Sequence, residues 1–87
     1  MGKCIKFIIN AINYEIRIYY NGTFSIVYCA IQLDPIINTI FNKGIHKYLF
    51  EPLNSSVLDI LSKEIKSDIE LEGFNCEILG IFDIHSK

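Results

Sequence analysis

Apolar and polar residues alternate along the first third of the chain. The alternation runs through three segments, Lys3–Ile9, Tyr14–Tyr19 and Thr23–Ile31. A two-residue period in β-branched and aromatic residues is typical of strands that are buried on one side. The first third therefore predicts a three-stranded meander, with one apolar face and one mixed face.

The loop between the second and third predicted strands decides which residues pair. A two-residue Asn21-Gly22 loop would set Arg17 beside Ile26 and mix charge into the apolar face. Slippage by one residue exchanges the two faces of a strand, so the apolar pattern favours a three-residue loop, 20–22. Gly22 then takes the left-handed position of a type I turn with a bulge. The predicted pairs are Ile18 with Phe24, Ile16 with Ile26, and Tyr14 with Tyr28.

A first amphipathic helix follows these strands. Asp34 is a suitable N-cap, Pro35 suits the first helical position, and Gly44 suits the residue after the last turn. The next segment, Ile45–Phe50, is compatible with either a short strand or a packed connector. The predicted apolar stripe consists of Ile36, Ile37, Ile40 and Phe41.

A second, longer helix begins after Pro52, capped by Ser55 or Ser56, and ends at Gly73. Its predicted inner face consists of Val57, Leu58, Leu61, Ile65 and Ile69. The last segment, Asn75–Ile84, is predicted to be a strand. Gly80 within it indicates a bulge or a close packing contact with a helix, and we favour the packing contact.

These elements predict an α+β fold in a single domain, 1–87. Its antiparallel β-sheet has about four strands in the order β-β-β-α-α-β, with two helices packed on one face. The closing strand is expected beside the first, because both are strongly apolar. We call the face of the sheet away from the helices the outer face. Its predicted partner-binding or dimer residues are Ile8, Arg17, Tyr19, Val27, Ile31 and Ile81, and it also carries Lys6, Glu15, Cys29 and Leu79.

That outer face is unusually apolar for a solvated sheet. Tyrosine and arginine among aliphatic residues are typical of protein interfaces. Two explanations remain open: the segment Ile45–Phe50 folds over the face, or the face binds another chain, either a protein partner or a second copy. The sequence favours the second explanation.

The composition points to a small protein without a catalytic motif. The chain has 87 residues, of which 51% are hydrophobic, and a formal net charge of -2. It has 18 Ile against 2 Val and 2 Ala, a bias typical of AT-rich coding sequence. The cysteines and histidines lack the close spacing of a zinc site, and the glycines are isolated rather than clustered in a phosphate loop. We therefore predict no catalytic residue, no cofactor and no metal.

Charge is distributed unevenly between the two halves of the chain. Residues 51–87 contain eight acidic and three basic residues, whereas residues 1–50 contain two acidic and five basic ones. The simplest explanation is a solvated helix face with internal ion pairs. The alternative is a negative surface that blocks a basic groove on another protein. Direct nucleic-acid binding is unlikely, because the five basic residues of the first half form only a thin patch. The residues predicted for this acidic set are Glu64, Asp68, Glu70, Glu72 and Glu77.

These features favour a small, cytoplasmic, non-enzymatic binding protein that acts by protein–protein contact. The first expectation is an inhibitor of a nuclease or defence complex, of the phage anti-defence or anti-CRISPR type. An immunity protein that neutralises a cognate toxin is the second. A sensor domain for a small molecule is the contrasting alternative, with a site formed from Tyr14, Tyr28, His46 or Cys76. The chain shows no candidate membrane-spanning segment.

Overall fold

The computed structural model describes residues 2–28, 33–48 and 51–85. Its strands are β1 (Gly2–Ile9), β2 (Ile12–Tyr19), β3 (Phe24–Tyr28) and β4 (Cys76–Ile84), and its helices are α1 (Pro35–Tyr48) and α2 (Ser55–Leu71). The strands form an antiparallel sheet in the order β3-β2-β1-β4. Both helices pack on one face of it, which confirms the predicted α+β class and the position of the closing strand beside the first.

The hairpin of β2 and β3 has the predicted register. Ile18 pairs with Phe24 and Ile16 with Ile26. The backbone N–H of Gly22 donates to the carbonyl of Tyr19 at 3.0 Å, and Gly22 has a φ of 87°. These features confirm the three-residue loop. The predicted third strand ran to Ile31; the observed strand ends at Tyr28 and residues 29–32 lie outside the described part.

Helix α1 begins as predicted but continues past its predicted end. The side chain of Asp34 accepts a hydrogen bond from the backbone N–H of Ile36 at 2.8 Å, which caps the helix. Gly44 lies inside α1 and does not end it, because the helix runs to Tyr48. Residues 45–48 are therefore helical, neither a strand nor a connector. Ile45 is buried in the core, so residues 45–48 do not cover the outer face, and the last two residues of the predicted segment, 49–50, lie outside the described part.

Helix α2 is capped one residue earlier than predicted. The side chain of Asn54, rather than Ser55 or Ser56, accepts a hydrogen bond from the backbone N–H of Val57 at 2.9 Å. Gly73 ends the helix as expected, with a φ of 89°. Its N–H donates to Glu70 and the next N–H donates to Ile69, the pair of bonds that defines a Schellman motif.

A β-bulge interrupts the pairing of β4 with β1. Lys6 pairs with Gly80 and Phe7 pairs with Ile78, so Leu79 is the extra residue. Gly80 has a φ of 150°, a region that residues with a side chain rarely adopt. The glycine therefore marks a bulge, and the favoured prediction of a packing contact with a helix is wrong.

The bulge reverses the two faces of the second half of β4. Ile81 pairs with Ile5, whose side chain is fully buried beneath the helices. The prediction that placed Ile81 on the outer face is therefore wrong, since paired residues of an antiparallel ladder share a face. Phe82 pairs with Cys4 and takes a place on the outer face instead, where it is 46% exposed.

Candidate functional site

The pairing register arranges the outer face in rows that cross all four strands. One row, which we call the lysine row, consists of Gly80, Lys6, Glu15 and Val27. The neighbouring cysteine row consists of Phe82, Cys4, Arg17 and Ser25. Each row thus has charged or polar groups on the central strands and an apolar or small residue on the edge strands.

A hydrogen-bonded group connects the two rows at the centre of the outer face. The carboxylate of Glu15 accepts from the guanidinium of Arg17 at 3.0 Å and from the thiol of Cys4 at 2.6 Å. The hydrogen bond from Cys4, followed by that from Arg17, holds the pKa of Glu15 below its ordinary value. Glu15 is therefore ionised at neutral pH and fixed in one position.

Cys4 is buried although it lies on the outer face, with only 4% of its surface exposed. Burial, and then the hydrogen bond to Glu15, raises the pKa of its thiol to about 12. A thiol with so high a pKa is almost entirely protonated at neutral pH and is a poor nucleophile. Cys4 therefore contributes a hydrogen-bond donor to the outer face.

The raised pKa of Cys4 predicts a loss of stability at alkaline pH. The unfolded chain releases the thiol proton near the ordinary pKa of 9.0, whereas the folded chain holds it until about 12. The stabilising contribution of the protonated Cys4 thiol is therefore complete below pH 9 and is lost progressively as the pH rises from 9.0 toward about 12. Thermal denaturation measured from pH 7 to 11 should show this decline. Cys4→Ser keeps a hydroxyl donor for Glu15 without titrating, so its decline should be shallower; an identical decline would contradict the assignment.

Exposed apolar side chains flank this central group on both edge strands. Val27 lies on β3, and Leu79 and Phe82 lie on β4, with exposures of 36%, 45% and 46%. A groove of about 250 Å³ runs between Val27 and Leu79, and Lys6 and Glu15 also line it. The ammonium of Lys6 lies 5.0 Å from the ring centroid of Phe82, within the range of a cation–π interaction.

The structure keeps most of the predicted outer-face residues together. Ile8, Arg17, Tyr19 and Val27 share the outer face, because each belongs to a pair or row on that side of the sheet. Ile31 lies outside the described residues. Phe82 was not predicted on the outer face. Gly80 is the sequence signal for it, because a bulge at that glycine exchanges the two faces of the residues that follow it.

The predicted acidic set is divided between several places. Glu64 faces α1, where it accepts from the hydroxyl of Tyr48 at 2.7 Å and from Lys47 at 3.2 Å. The hydrogen bond from Tyr48 is the main cause that lowers the pKa of Glu64. Other members of the set are distributed as follows: Asp68 beside Lys43 in a groove between the helices, Glu70 in an ion pair with Lys66, Glu72 at the C-cap of α2, and Glu77 opposite Ile8 on the outer face.

The four residues expected for a small-molecule site do not form one cluster: Tyr14 and Tyr28 both line the groove between Val27 and Leu79, whereas His46 and Cys76 are not among its described lining residues. Tyr14 stacks on Tyr28 with centroids 6.3 Å apart, whereas His46 meets the edge of Phe24 and Cys76 is buried. A cavity of about 210 Å³ lies elsewhere, between the β2–β3 turn and the ends of the two helices. None of the four is among the residues that line this cavity in the described part of the chain.

Within residues 2–28, 33–48 and 51–85, no group of three or more His, Cys, Asp or Glu side chains is placed to hold a metal ion. The described helices are each too short or too polar to cross a lipid bilayer. Comparison of the chain with protein-family models, with curated proteins and with solved structures found no match. The fold and the outer face define the molecule as a small α+β protein whose sheet has one face that no described helix covers.

Proposed function

We propose that this chain is a non-enzymatic binding protein that acts by protein–protein contact through the outer face of its sheet. It works as an inhibitor that covers a functional surface of its partner, in the cytoplasm of the producing or infected cell. The single observation that supports this function is the exposure of Val27, Leu79 and Phe82 on a face that no described helix covers. Exposed apolar side chains on one sheet face, with polar residues between them, are typical of interaction sites.

The types of side chain on the outer face suit protein recognition. Arg17, Tyr19 and Phe82 have the large, partly apolar side chains that are enriched in interfaces. Arginine and tyrosine are also enriched among the residues that contribute most to binding. The adjacent charges of Lys6 and Glu15 supply orientation, since opposite charges across an interface favour one register.

The geometry supports the outer face better than the acidic set. Carboxylates on α2 already have basic partners of the same chain: Asp59 with Lys63, Glu64 with Lys47, and Glu70 with Lys66. Carboxylates that are paired within the chain contribute less field toward a partner. The remaining excess of negative charge in residues 51–87 favours a basic partner such as a nuclease, mainly by accelerating encounter.

The test is capture of a partner on the immobilised chain, followed by measurement of its dissociation constant for matched variants. Val27→Arg places a charge on the outer face, and Ile60→Arg makes the same change at an exposed site of α2. We expect Val27→Arg to weaken binding by about tenfold or more, the change equivalent to about 1.4 kcal/mol. Ile60→Arg should bind the partner as the unmodified chain does.

A third variant separates the two candidate surfaces. Charge reversal of Asp68 and Glu72 alters the acidic set without removing any ion pair observed among the described residues. Loss of binding in this variant, together with normal binding by Val27→Arg, would transfer the function from the outer face to the acidic set. Equal binding by Val27→Arg and Ile60→Arg would also exclude the outer face.

A further inference from the structure

We infer that the outer face binds a second copy of this chain in a two-fold symmetric dimer. The inference rests on the proposed function, because it uses the same outer face: the second copy and the protein partner compete for this face, and the chain binds its partner after the dimer dissociates. The argument depends on how the lysine row and the cysteine row match themselves when one sheet is turned over onto another. Homodimers most often use such a self-complementary surface.

Consider a two-fold axis that runs parallel to the strands, midway between β1 and β2 and between the two outer faces. Rotation about this axis places β1 over β2 of the second copy and β4 over its β3. Positions along the strand direction are preserved, so each row lies over its own reversed copy. The two sheets then pack with their strands nearly aligned, which is a common geometry of stacked sheets.

In the lysine row this rotation brings opposite charges together. Lys6 lies over Glu15 of the second copy, and Glu15 lies over Lys6 of the second copy. Among the described residues Lys6 takes part in no ion pair, whereas Arg17 is paired with Glu15. The dimer therefore contains two contacts between Lys6 and Glu15, one for each copy of Lys6. It also places the exposed Leu79 near Val27 of the second copy, at the edge of the groove.

In the cysteine row the same rotation places a large side chain opposite a small one. Phe82, exposed on β4, takes the position opposite Ser25 of the second copy on β3, and its ring lies beside Gly80 of its own chain. Serine is small and leaves space for the aromatic ring. Arg17 lies over Cys4, which is neutral because its pKa is about 12, so this row brings no like charges together.

A perpendicular two-fold axis that runs along the lysine row lacks this complementarity. An axis perpendicular to the strands, along the lysine row, would place Lys6 over Lys6 and Glu15 over Glu15 of the second copy. Like charges placed opposite each other disfavour association. The charges of the lysine row therefore favour the axis parallel to the strands over a perpendicular axis along that row.

The area of the outer face is sufficient for a specific dimer of moderate affinity. Four strands with a spacing of about 4.8 Å and a length of about 26 Å present about 500 Å² on each copy. The total of about 1,000 Å² is at the lower limit for a specific interface. We therefore expect a dimer that dissociates on dilution, with a dissociation constant on the order of micromolar.

Sedimentation velocity across a concentration series measures the dissociation constant of the dimer, and charge-reversed variants test the contacts proposed for it. Lys6→Glu alone and Glu15→Lys alone each oppose like charges across the axis and should weaken the dimer by about tenfold or more. An equimolar mixture of the two variants restores both opposite-charge contacts and should form a heterodimer about as stable as the original dimer. Lys43→Glu, an equal change of charge on α1, is the control and should dimerise normally.

Glu15 has partners within its own chain, so Glu15→Lys must first be shown to fold by circular dichroism. If it does not fold, Ser25→Arg replaces it, because a long side chain at Ser25 would collide with Phe82 of the second copy and should prevent dimerisation. A monomer at every concentration up to about 1 mM would overturn the inference. A dimer unaffected by Lys6→Glu, or a mixture that stays monomeric, would overturn it too.

The two proposals can fail separately. A monomeric chain whose partner binding is abolished by Val27→Arg would refute the dimer and leave the proposed function in place. A dimer that responds to Lys6→Glu as expected, together with partner binding unaffected by Val27→Arg, would support the dimer and refute the proposed use of the outer face for the partner.

Discussion

Phe41→Ala is expected to lower the free energy of unfolding by about 3–5 kcal/mol. Phe41 has no exposed surface, and it connects α1 to the sheet. Its ring centroid lies 5.4 Å from that of Phe7 on β1 and 5.9 Å from that of Tyr14 on β2, the latter edge to face. Truncation removes these aromatic contacts and leaves a cavity that rigid neighbours on two strands cannot fill.

Urea denaturation followed by circular dichroism measures this loss. A domain of this size has a free energy of unfolding of about 4–13 kcal/mol, so the variant could be partly unfolded even without urea. The measurement is therefore made at low temperature, near the maximum of stability, where the unfolded fraction is smallest. Ile36→Ala is the matched control on the same helix, because Ile36 is 46% exposed, and it should cost less than about 1 kcal/mol. A loss below about 1 kcal/mol for Phe41→Ala would contradict the packing described above.

The register of the β2–β3 hairpin could be predicted because it is determined by neighbouring residues. Alternation of apolar and charged positions distinguishes the pairing of Ile16 with Ile26 from a slipped pairing, and the observed register confirms that choice. The same local logic predicted the cap at Asp34 and the end of α2 at Gly73. Capping and turn formation depend on a few adjacent residues, so a single sequence contains the necessary information.

Features that depend on contacts between distant segments could not be predicted in this way. The bulge at Gly80 moved Ile81 to the helix side and Phe82 to the outer face, and its position depends on pairing with Lys6. Nothing near Gly80 in the sequence fixes where the ladder with β1 shifts. A glycine within a strand indicates a bulge or a close contact, and only the paired strand decides between them.

The acidic set shows the same limit for charges. The sequence indicates i,i+4 pairs within α2, such as Lys66 with Glu70, and the structure contains them. It does not reveal that Glu64 is bound by Lys47 and Tyr48, because these residues belong to a different helix. A carboxylate that looks available in the sequence is therefore already paired in the fold, which favours the outer face over the acidic set, the two surfaces that the sequence predicts.

The sequence suggests that Gly44 ends α1, but in the fold Gly44 lies inside the helix, where it faces α2. A Cβ atom at Gly44 would lie 2.9 Å from Cγ1 of Ile65 and 3.3 Å from Cδ1 of Leu61. Contacts this short require the side chain of Ile65 to shift or α1 and α2 to move apart. The glycine therefore permits close approach of the two helices, at the cost of a residue that is unfavourable inside a helix.

Gly44→Val is expected to destabilise the fold by about 1–3 kcal/mol, since overpacking a well-packed contact forces the helices apart. The decisive measurement repeats the substitution in an Ile65→Ala background. Ile65→Ala alone removes a fully buried side chain and should cost about 2–5 kcal/mol. In that background the valine enters the vacated space, so it should be neutral or stabilising rather than destabilising. An unchanged cost of Gly44→Val in both backgrounds would show that the glycine is required for its backbone and not for the approach of α2.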